Sequence, residues 1–305
     1  MRIYTLTLNP AYDVHAFAEE FVPFHENLAT VTSREAGGKG VNISRALKNA
    51  DTRNTAIIVL GVENGGEFRQ ALAGMDCLFF EKEGRIRENL TLHSGDGRET
   101  RISFSGFRVD ESILPEVAAA IDGDEDTIVT FTGRVASGMS MDAVKAFLLE
   151  LKNRGVKIVL DSKSFRFADI CQVQPWLIKP NQEEISEFFD CNVENIAQAA
   201  EKAKEFAAKG VENVLVSMGE QGAVLVQGDS LYTAVPPAIQ AVSTIGAGDS
   251  SSAGFISAFA AGKEPKDCLR NAVAFGTAAC MTEGTRPPEQ DNVEYIRSQV
   301  QVVKA

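Results

Sequence analysis

The sequence predicts an α/β fold, with a mostly parallel central sheet covered by helices on both faces. Short β-branched runs alternate along it with longer stretches of helical period, which is the signature of crossover units. The strand runs are Ile3–Leu8, Ala56–Leu60, Thr127–Phe131, Lys157–Leu160, Trp176–Ile178, Asn213–Ser217 and Ala223–Val226. Helical stretches between them include Val41–Asn49, Met141–Asn153, Ile196–Ala208 and Gly248–Ala261. In Met141–Asn153 the residues Val144, Phe147, Leu148 and Leu151 recur at the spacing of one apolar helix face. A chain of 305 residues, 44% of them hydrophobic, can fill one large α/β domain.

Two stretches break the alternation. Asp13–Thr32 and Arg85–Phe107 are strand-like but lack a helix of suitable length. Arg87–His93 and Glu99–Phe104 flank Ser94-Gly95-Asp96-Gly97-Arg98, which reads as a hairpin with a glycine-containing loop. A small β-structure at the edge of such a sheet suits a lid, with segments near residues 11–34 and 85–107; an ordinary surface hairpin is the plainer alternative.

Charge excludes some functions. Thirty basic against 42 acidic side chains give a net charge of −12, the wrong sign for a nucleic-acid surface. Any anion site must therefore be built locally. The five cysteines, Cys77, Cys171, Cys191, Cys268 and Cys280, contain no C-x-x-C pair, so neither a zinc knuckle nor a redox dithiol is expected. No apolar run is long enough to span a bilayer, and the chain starts on a strand-like run. A soluble cytoplasmic protein with reduced thiols is the expectation.

Three clusters carry the chemistry. The first, Glu35-Ala36-Gly37-Gly38-Lys39-Gly40-Val41-Asn42, opens a helix. Glycines there let a ligand approach the backbone, and exposed N–H groups favour an anion, to which Lys39 adds a cation. The spacing fits neither a Walker A loop nor G-x-G-x-x-G. The second, Leu177-Ile178-Lys179-Pro180-Asn181-Gln182-Glu183-Glu184, runs from a strand end into a helix. An N-cap at Asn181 boxed with Glu184 explains both residues without a ligand; holding water or magnesium beside phosphates is the functional reading. The third, Thr244-Ile245-Gly246-Ala247-Gly248-Asp249, leads into another helix. The amides of Gly246, Ala247 and Gly248 at its positive end suit the charge that develops in phosphoryl transfer, and Asp249 can take a proton from an attacking hydroxyl. His15, His25 and His93 form no metallohydrolase or serine-hydrolase pattern.

Together these segments resemble the PfkB family, which includes ribokinase, adenosine kinase and the sugar-phosphate kinases. The resemblance spans the chain, from Gly37-Gly38-Lys39-Gly40 to Gly246-Ala247-Gly248-Asp249. It is nearest to the bacterial 1-phosphofructokinases, through Thr7-Leu8-Asn9-Pro10-Ala11-Tyr12-Asp13, Phe104-Ser105-Gly106-Phe107, Pro175-Trp176-Leu177-Ile178-Lys179-Pro180-Asn181 and Ser243–Ser250. The resemblance implies a ribokinase-like fold with a β lid, ATP and Mg²⁺ as cofactors, a sugar phosphate as partner, and pairing of lids into a homodimer. It implies that Asp249 is the catalytic base, that Asp13, Gly38 and Asn42 hold sugar hydroxyls, and that Lys39, Arg87 and Asn89 engage the sugar phosphate. It places Asn181 and Glu184 at the magnesium–nucleotide phosphates, with Glu184 reaching the metal through water. Ser217, Gly219 and Thr244 would follow along the ATP channel, and Asn271 and Phe275 would line the adenine pocket. Three departures bear on substrate identity. Thr132-Gly133-Arg134-Val135-Ala136-Ser137-Gly138 stands where Ser-Gly-Ser-Leu-Pro is usual, Lys163 follows Asp161-Ser162, and Arg101 adds charge beside the hairpin.

Overall fold

A computed structural model describes residues 1–305. Strand β1 (Arg2–Thr7) begins a large sheet; β2 (Ala11–Ala18) and β3 (Thr30–Gly37) leave it, and helix α1 (Lys39–Asn49) leads back to β4 (Thr55–Gly61). Helix α2 (Gly65–Ala71) and β5 (Cys77–Lys82) complete that edge before β6 (Arg87–Ser94) and β7 (Glu99–Ser103). Alternation resumes with α3 (Ile113–Ala120), β8 (Thr127–Thr132), α4 (Met141–Asn153), β9 (Lys157–Asp161), α5 (Phe167–Val173), β10 (Leu177–Ile178), α6 (Gln182–Phe189), α7 (Ile196–Ala207) and β11 (Asn213–Ser217). The chain ends with β12 (Ala223–Gln227), β13 (Ser230–Val235), α8 (Ala247–Ala260), α9 (Pro265–Ala279), α10 (Gln290–Gln299) and β14 (Gln301–Lys304).

The large sheet runs β14-β13-β12-β11-β10-β9-β8-β1-β4-β5. From β5 to β11 every pair is parallel, and β11 to β14 are joined antiparallel. Both faces are buried. Val129 and Phe131 of β8, Ile158 and Leu160 of β9, and Val214 and Val216 of β11 enter one core beneath α3–α7. Ile128, Val159 and Leu215, one residue out of step, enter the other core with α1, α8, α9 and α10. The period-2 pleat with apolar residues on both sides produces the unbroken apolar runs of the sequence.

The second sheet has the order β3-β2-β6-β7. The expected hairpin forms, with Asn89 opposite Ser103 and His93 opposite Glu99. Strands β2 and β6 pair in parallel, which sets Ala11 beside Arg87 and Asp13 beside Asn89. The pattern of the sequence does not single out β5, β13 and β14. These strands carry half-exposed residues and lie at or near the sheet edges, so neither an apolar run nor clean alternation marks them. All five cysteines are free, and no helix is long and apolar enough to cross a membrane.

Candidate active site

The site is where two helix starts meet over the carboxyl ends of the central strands. Helix α1 begins at Gly38, whose φ of 115° is closed to side-chain-bearing residues without strain. Gly40 lets that first turn sit directly on β1, for a Cβ there would come within 2.3 Å of the Leu6 carbonyl oxygen. Helix α8 begins after Gly246, at φ 76°, so the amides of Ala247, Gly248 and Asp249 fall in the first turn, where no preceding helical carbonyl is available to them. The two ends are joined by a side-chain bond: Asn42 Nδ2 donates to Asp249 Oδ2 at 2.9 Å.

Around this bond lie two cations and a second carboxylate. Asp161, at the end of β9, accepts from Lys39 Nζ at 2.6 Å and forms an ion pair with Lys179 Nζ at 3.2 Å. Lys179 and Asp161 are buried, whereas Lys39 keeps 36% of its side-chain surface open. Gly248 is bare on the side facing Lys179; a Cβ there would stand 3.2 Å from its ammonium nitrogen.

The two carboxylates differ sharply. Burial pushes Asp249 up, and Lys39 pulls it down only in part while Asp161 adds repulsion, leaving it at about 6. Burial acts on Asp161 in the same sense, but Lys179 and Lys39 together override it and hold it at about 2. On Lys39 burial opposes the charge, and Asp161 and Asp249 outweigh it, so its pKa is raised. One carboxylate is thus a locked counter-ion, and the other is a carboxyl that ionises at about 6.

The small sheet supplies a second group of side chains. Asn89 Nδ2 donates to Asp13 Oδ1 at 2.9 Å, as the β2–β6 register dictates. Burial raises the pKa of Asp13 against the Asn89 bond. Gly37 admits this carboxylate, since a Cβ there would lie 2.1 Å from Asp13 Oδ2. Arg87 Nη1 donates to the Phe104 carbonyl at 3.1 Å and to Asn89 Oδ1 at 3.3 Å, while its Nε is buried without an acceptor.

Asn181 and Glu184 form the expected capping box. Asn181 Oδ1 accepts from the Glu184 amide at 2.8 Å and Glu184 Oε2 from the Asn181 amide at 3.0 Å. Their position is at the strand ends all the same: Asn181 bridges Ser217, whose amide donates to the Pro180 carbonyl at 3.0 Å. Gly219, at φ 58°, opens a single 3₁₀ turn beyond it. Thr244 lies exposed just before α8. Asn271 and Phe275 are not brought into this cluster. Asn271 donates to the Gly254 carbonyl at 2.7 Å and accepts from Arg297 at 3.2 Å, and Phe275 packs against Gly254 between α8 and α9.

No group of three carboxylate, His or Cys side chains could cage a metal. Both oxygens of Asp161 face ammonium groups. Glu184 fits an indirect role, since only its Oε2 serves the capping box. Magnesium would then be held mainly by phosphate oxygens and water, its usual habit.

Reading the motifs by residue type misses Asp161 and Lys179 as site residues. Their position at the carboxyl ends of adjacent strands is the signal that points to them. Lys163 and Arg101 satisfy the surface alternative, pairing with Glu183 at 3.2 Å and Glu99 at 2.8 Å. Arg134 has no such partner.

Residues 7–292 match the profile of the pfkB family carbohydrate kinases. The chain belongs to that family and is therefore a carbohydrate kinase, a phosphotransferase. The 1-phosphofructokinase of Borreliella burgdorferi is 32% identical over 283 residues, 92% of this chain and 92% of that protein. That of Escherichia coli K12 is 31% identical over 284 residues, 91% and 90% of the two chains. Among solved structures, phosphofructokinase-2 from Escherichia coli in complex with fructose-6-phosphate is similar with a TM-score of 0.89 at 26% identity, over 98% of each chain.

Proposed function

We propose that this kinase transfers the γ-phosphoryl group of ATP to the C6 hydroxyl of D-fructose 1-phosphate, giving fructose 1,6-bisphosphate and ADP. The observation that carries the reading is the pairing of Asp249, poised at about 6, with the unbonded amides of Gly248 and Asp249 at the start of α8. In this reading Asp249 takes the C6 hydroxyl proton as the oxygen attacks phosphorus. The Gly246–Gly248 turn and Lys179 face the charge on the transferring oxygens. Asp13, the Gly38 backbone and Asn42 orient the sugar. Lys39, Arg87 and Asn89 engage its phosphate.

On the nucleotide side, Asn181, Ser217, Gly219 and Thr244 follow the phosphates and ribose, and Asn271 and Phe275 back the adenine. Glu184 meets Mg²⁺ through water; the ion supplies charge neutralisation on the phosphate oxygens. The small sheet acts as a lid that excludes water from the acceptor. Its outward apolar residues, among them Phe17, Val31 and Ile102, with Leu28 of the β2–β3 connection, support pairing of lids in a homodimer. Sedimentation that stays dimeric for Val31→Lys combined with Ile102→Lys would place any dimer contact elsewhere. Five free cysteines fit a cytoplasmic setting, which fractionation of the host cell checks.

A second acceptor class has its own support. The structural neighbour at 26% identity binds fructose-6-phosphate, so tagatose 6-phosphate and fructose 6-phosphate belong in the test. The higher identity to 1-phosphofructokinases favours fructose 1-phosphate. Initial rates with all three acceptors decide: a larger kcat/KM for either 6-phosphate overturns the choice. Binding of a sugar phosphate without ADP production from any acceptor makes the protein a sensor instead.

A further inference from the structure

We propose that Arg134 supplies a second guanidinium to the acceptor's phosphate, opposite Arg87, and so sets the site's demand for a doubly charged phosphate monoester. This rests on the sugar-phosphate kinase reading above and names a residue that the reading leaves without a role.

The placement follows from the sheet. Thr132, the last residue of β8, pairs with Asp161, the carboxylate that holds Lys39 and Lys179. The chain then turns at Gly133, whose φ of 83° permits it and whose amide donates to the Asp161 carbonyl at 3.0 Å. One residue further, the Val135 amide donates to Ser164 Oγ at 3.0 Å. Arg134 is thus held by backbone anchors on both sides, over the same strand ends as the Lys39–Asp161 pair. Its side chain is exposed and has no carboxylate within ion-pair distance and no protein hydrogen bond.

Charge gives the placement its meaning. In a chain with net charge −12, Arg134 lies close enough to Arg87 that the two repel. Burial is the larger influence lowering the Arg87 pKa, Arg134 adds to it, and Asp13 opposes both. Arg87 already spends one nitrogen on Phe104 and Asn89, and its buried Nε has no acceptor. Two guanidiniums that repel, neither of them in an ion pair with a carboxylate, are unfavourable until an anion with several acceptor oxygens arrives. A phosphate monoester, near two negative charges above its second pKa of about 6, meets that need.

The test uses the intact chain and the Arg134→Ser and Arg134→Lys variants, with fructose 1-phosphate varied at saturating ATP. The acceptor KM should rise roughly tenfold or more for Arg134→Ser, the scale of a lost charge-assisted contact, with kcat and the ATP KM within about twofold. Inhibition by inorganic phosphate, competitive with the acceptor, should weaken in parallel, and Arg134→Lys should recover part of the loss. An acceptor KM unchanged in Arg134→Ser, or one that rises together with the ATP KM and a fallen Tm, overturns the inference. If the wild type turns over a different sugar phosphate, the acceptor choice falls and the same comparison is made with that compound. If it turns over none, the kinase reading falls, and calorimetry with inorganic phosphate on wild type and Arg134→Ser still decides the role of Arg134: equal affinity ends it.

Discussion

Replacing Asp249 with Asn should abolish turnover and stabilise the protein, and the two effects share one cause. The Asp249 carboxyl moves from 3.8 to about 6 on folding because it is buried and only partly compensated. The folded state therefore holds the proton more tightly than the unfolded chain does. For a raised carboxyl the sign is unfavourable at high pH: the cost begins above 3.8, grows as pH rises to about 6, and is complete beyond it. Two units at about 1.4 kcal/mol each amount to about 3 kcal/mol at pH 7.5, falling to about half of that at pH 5. Asn keeps an acceptor for Asn42 Nδ2 and carries no charge, so it removes the cost. Thermal unfolding at pH 5 and pH 7.5 should show Asp249→Asn more stable by several degrees at pH 7.5, with the gap narrowing at pH 5. Over the same series kcat should fall at least about a hundredfold, the lower range for loss of a general base. A variant less stable than wild type at pH 7.5, or equally shifted at both pH values, refutes the electrostatic reasoning. Retention of most of kcat refutes the base.

Two further outcomes follow from the same cluster. The kcat/KM profile should fall on its acid side around pH 6, as Asp249 takes up a proton, and Asp161→Asn should move that limb to lower pH, because it removes a like charge and frees Lys39 and Lys179 to favour ionised Asp249; rate profiles of both proteins check this, and a limb moving upward contradicts it. Gly248→Ala should uncouple stability from rate: a helical Gly→Ala change stabilises by up to about 1 kcal/mol, but the new Cβ, 3.2 Å from Lys179 Nζ, displaces the ammonium, so kcat should drop about tenfold with Tm unchanged or raised, and an unchanged kcat would remove Lys179 from the reaction.

What could be read from the sequence was local. The Gly38–Asn42 and Gly246–Asp249 turns show themselves because bare backbone at a helix start has few other uses, and the alternation of runs is a direct record of a sheet buried on both faces. What could not be read was convergence. Asp161 and Lys179 are ordinary charged residues at strand ends until β9, β10 and α1 bring them and Lys39 to one point. Asn42 reads as a sugar ligand by resemblance, yet its amide nitrogen is taken by Asp249 across 207 residues of chain. Asn181 and Glu184 show the reverse case: the local capping box forms as its spacing dictates, and only the bridge to Ser217 sets it over the strand ends. The small sheet lay between these extremes, since its hairpin is local but the β2–β6 register that joins Asp13 to Asn89 is not.

The arrangement of charges also gives a reason for two carboxylates in a site whose proposed reaction needs one base. Two lysines beside a lone Asp249 would pair with it, hold its pKa low and leave a poor proton acceptor. Asp161 prevents this by engaging both ammonium groups itself, at 2.6 and 3.2 Å, and by repelling charge on its neighbour. The four groups sum to zero formal charge, so the cluster can be buried without a net ion. In the proposed reaction this division of labour, one carboxylate at about 2 and the other at about 6, would keep the cations in place for incoming phosphate oxygens and leave Asp249 able to accept a proton. Removing Asp161 would therefore damage the site twice, by unpairing buried lysines and by weakening the base they would then seize.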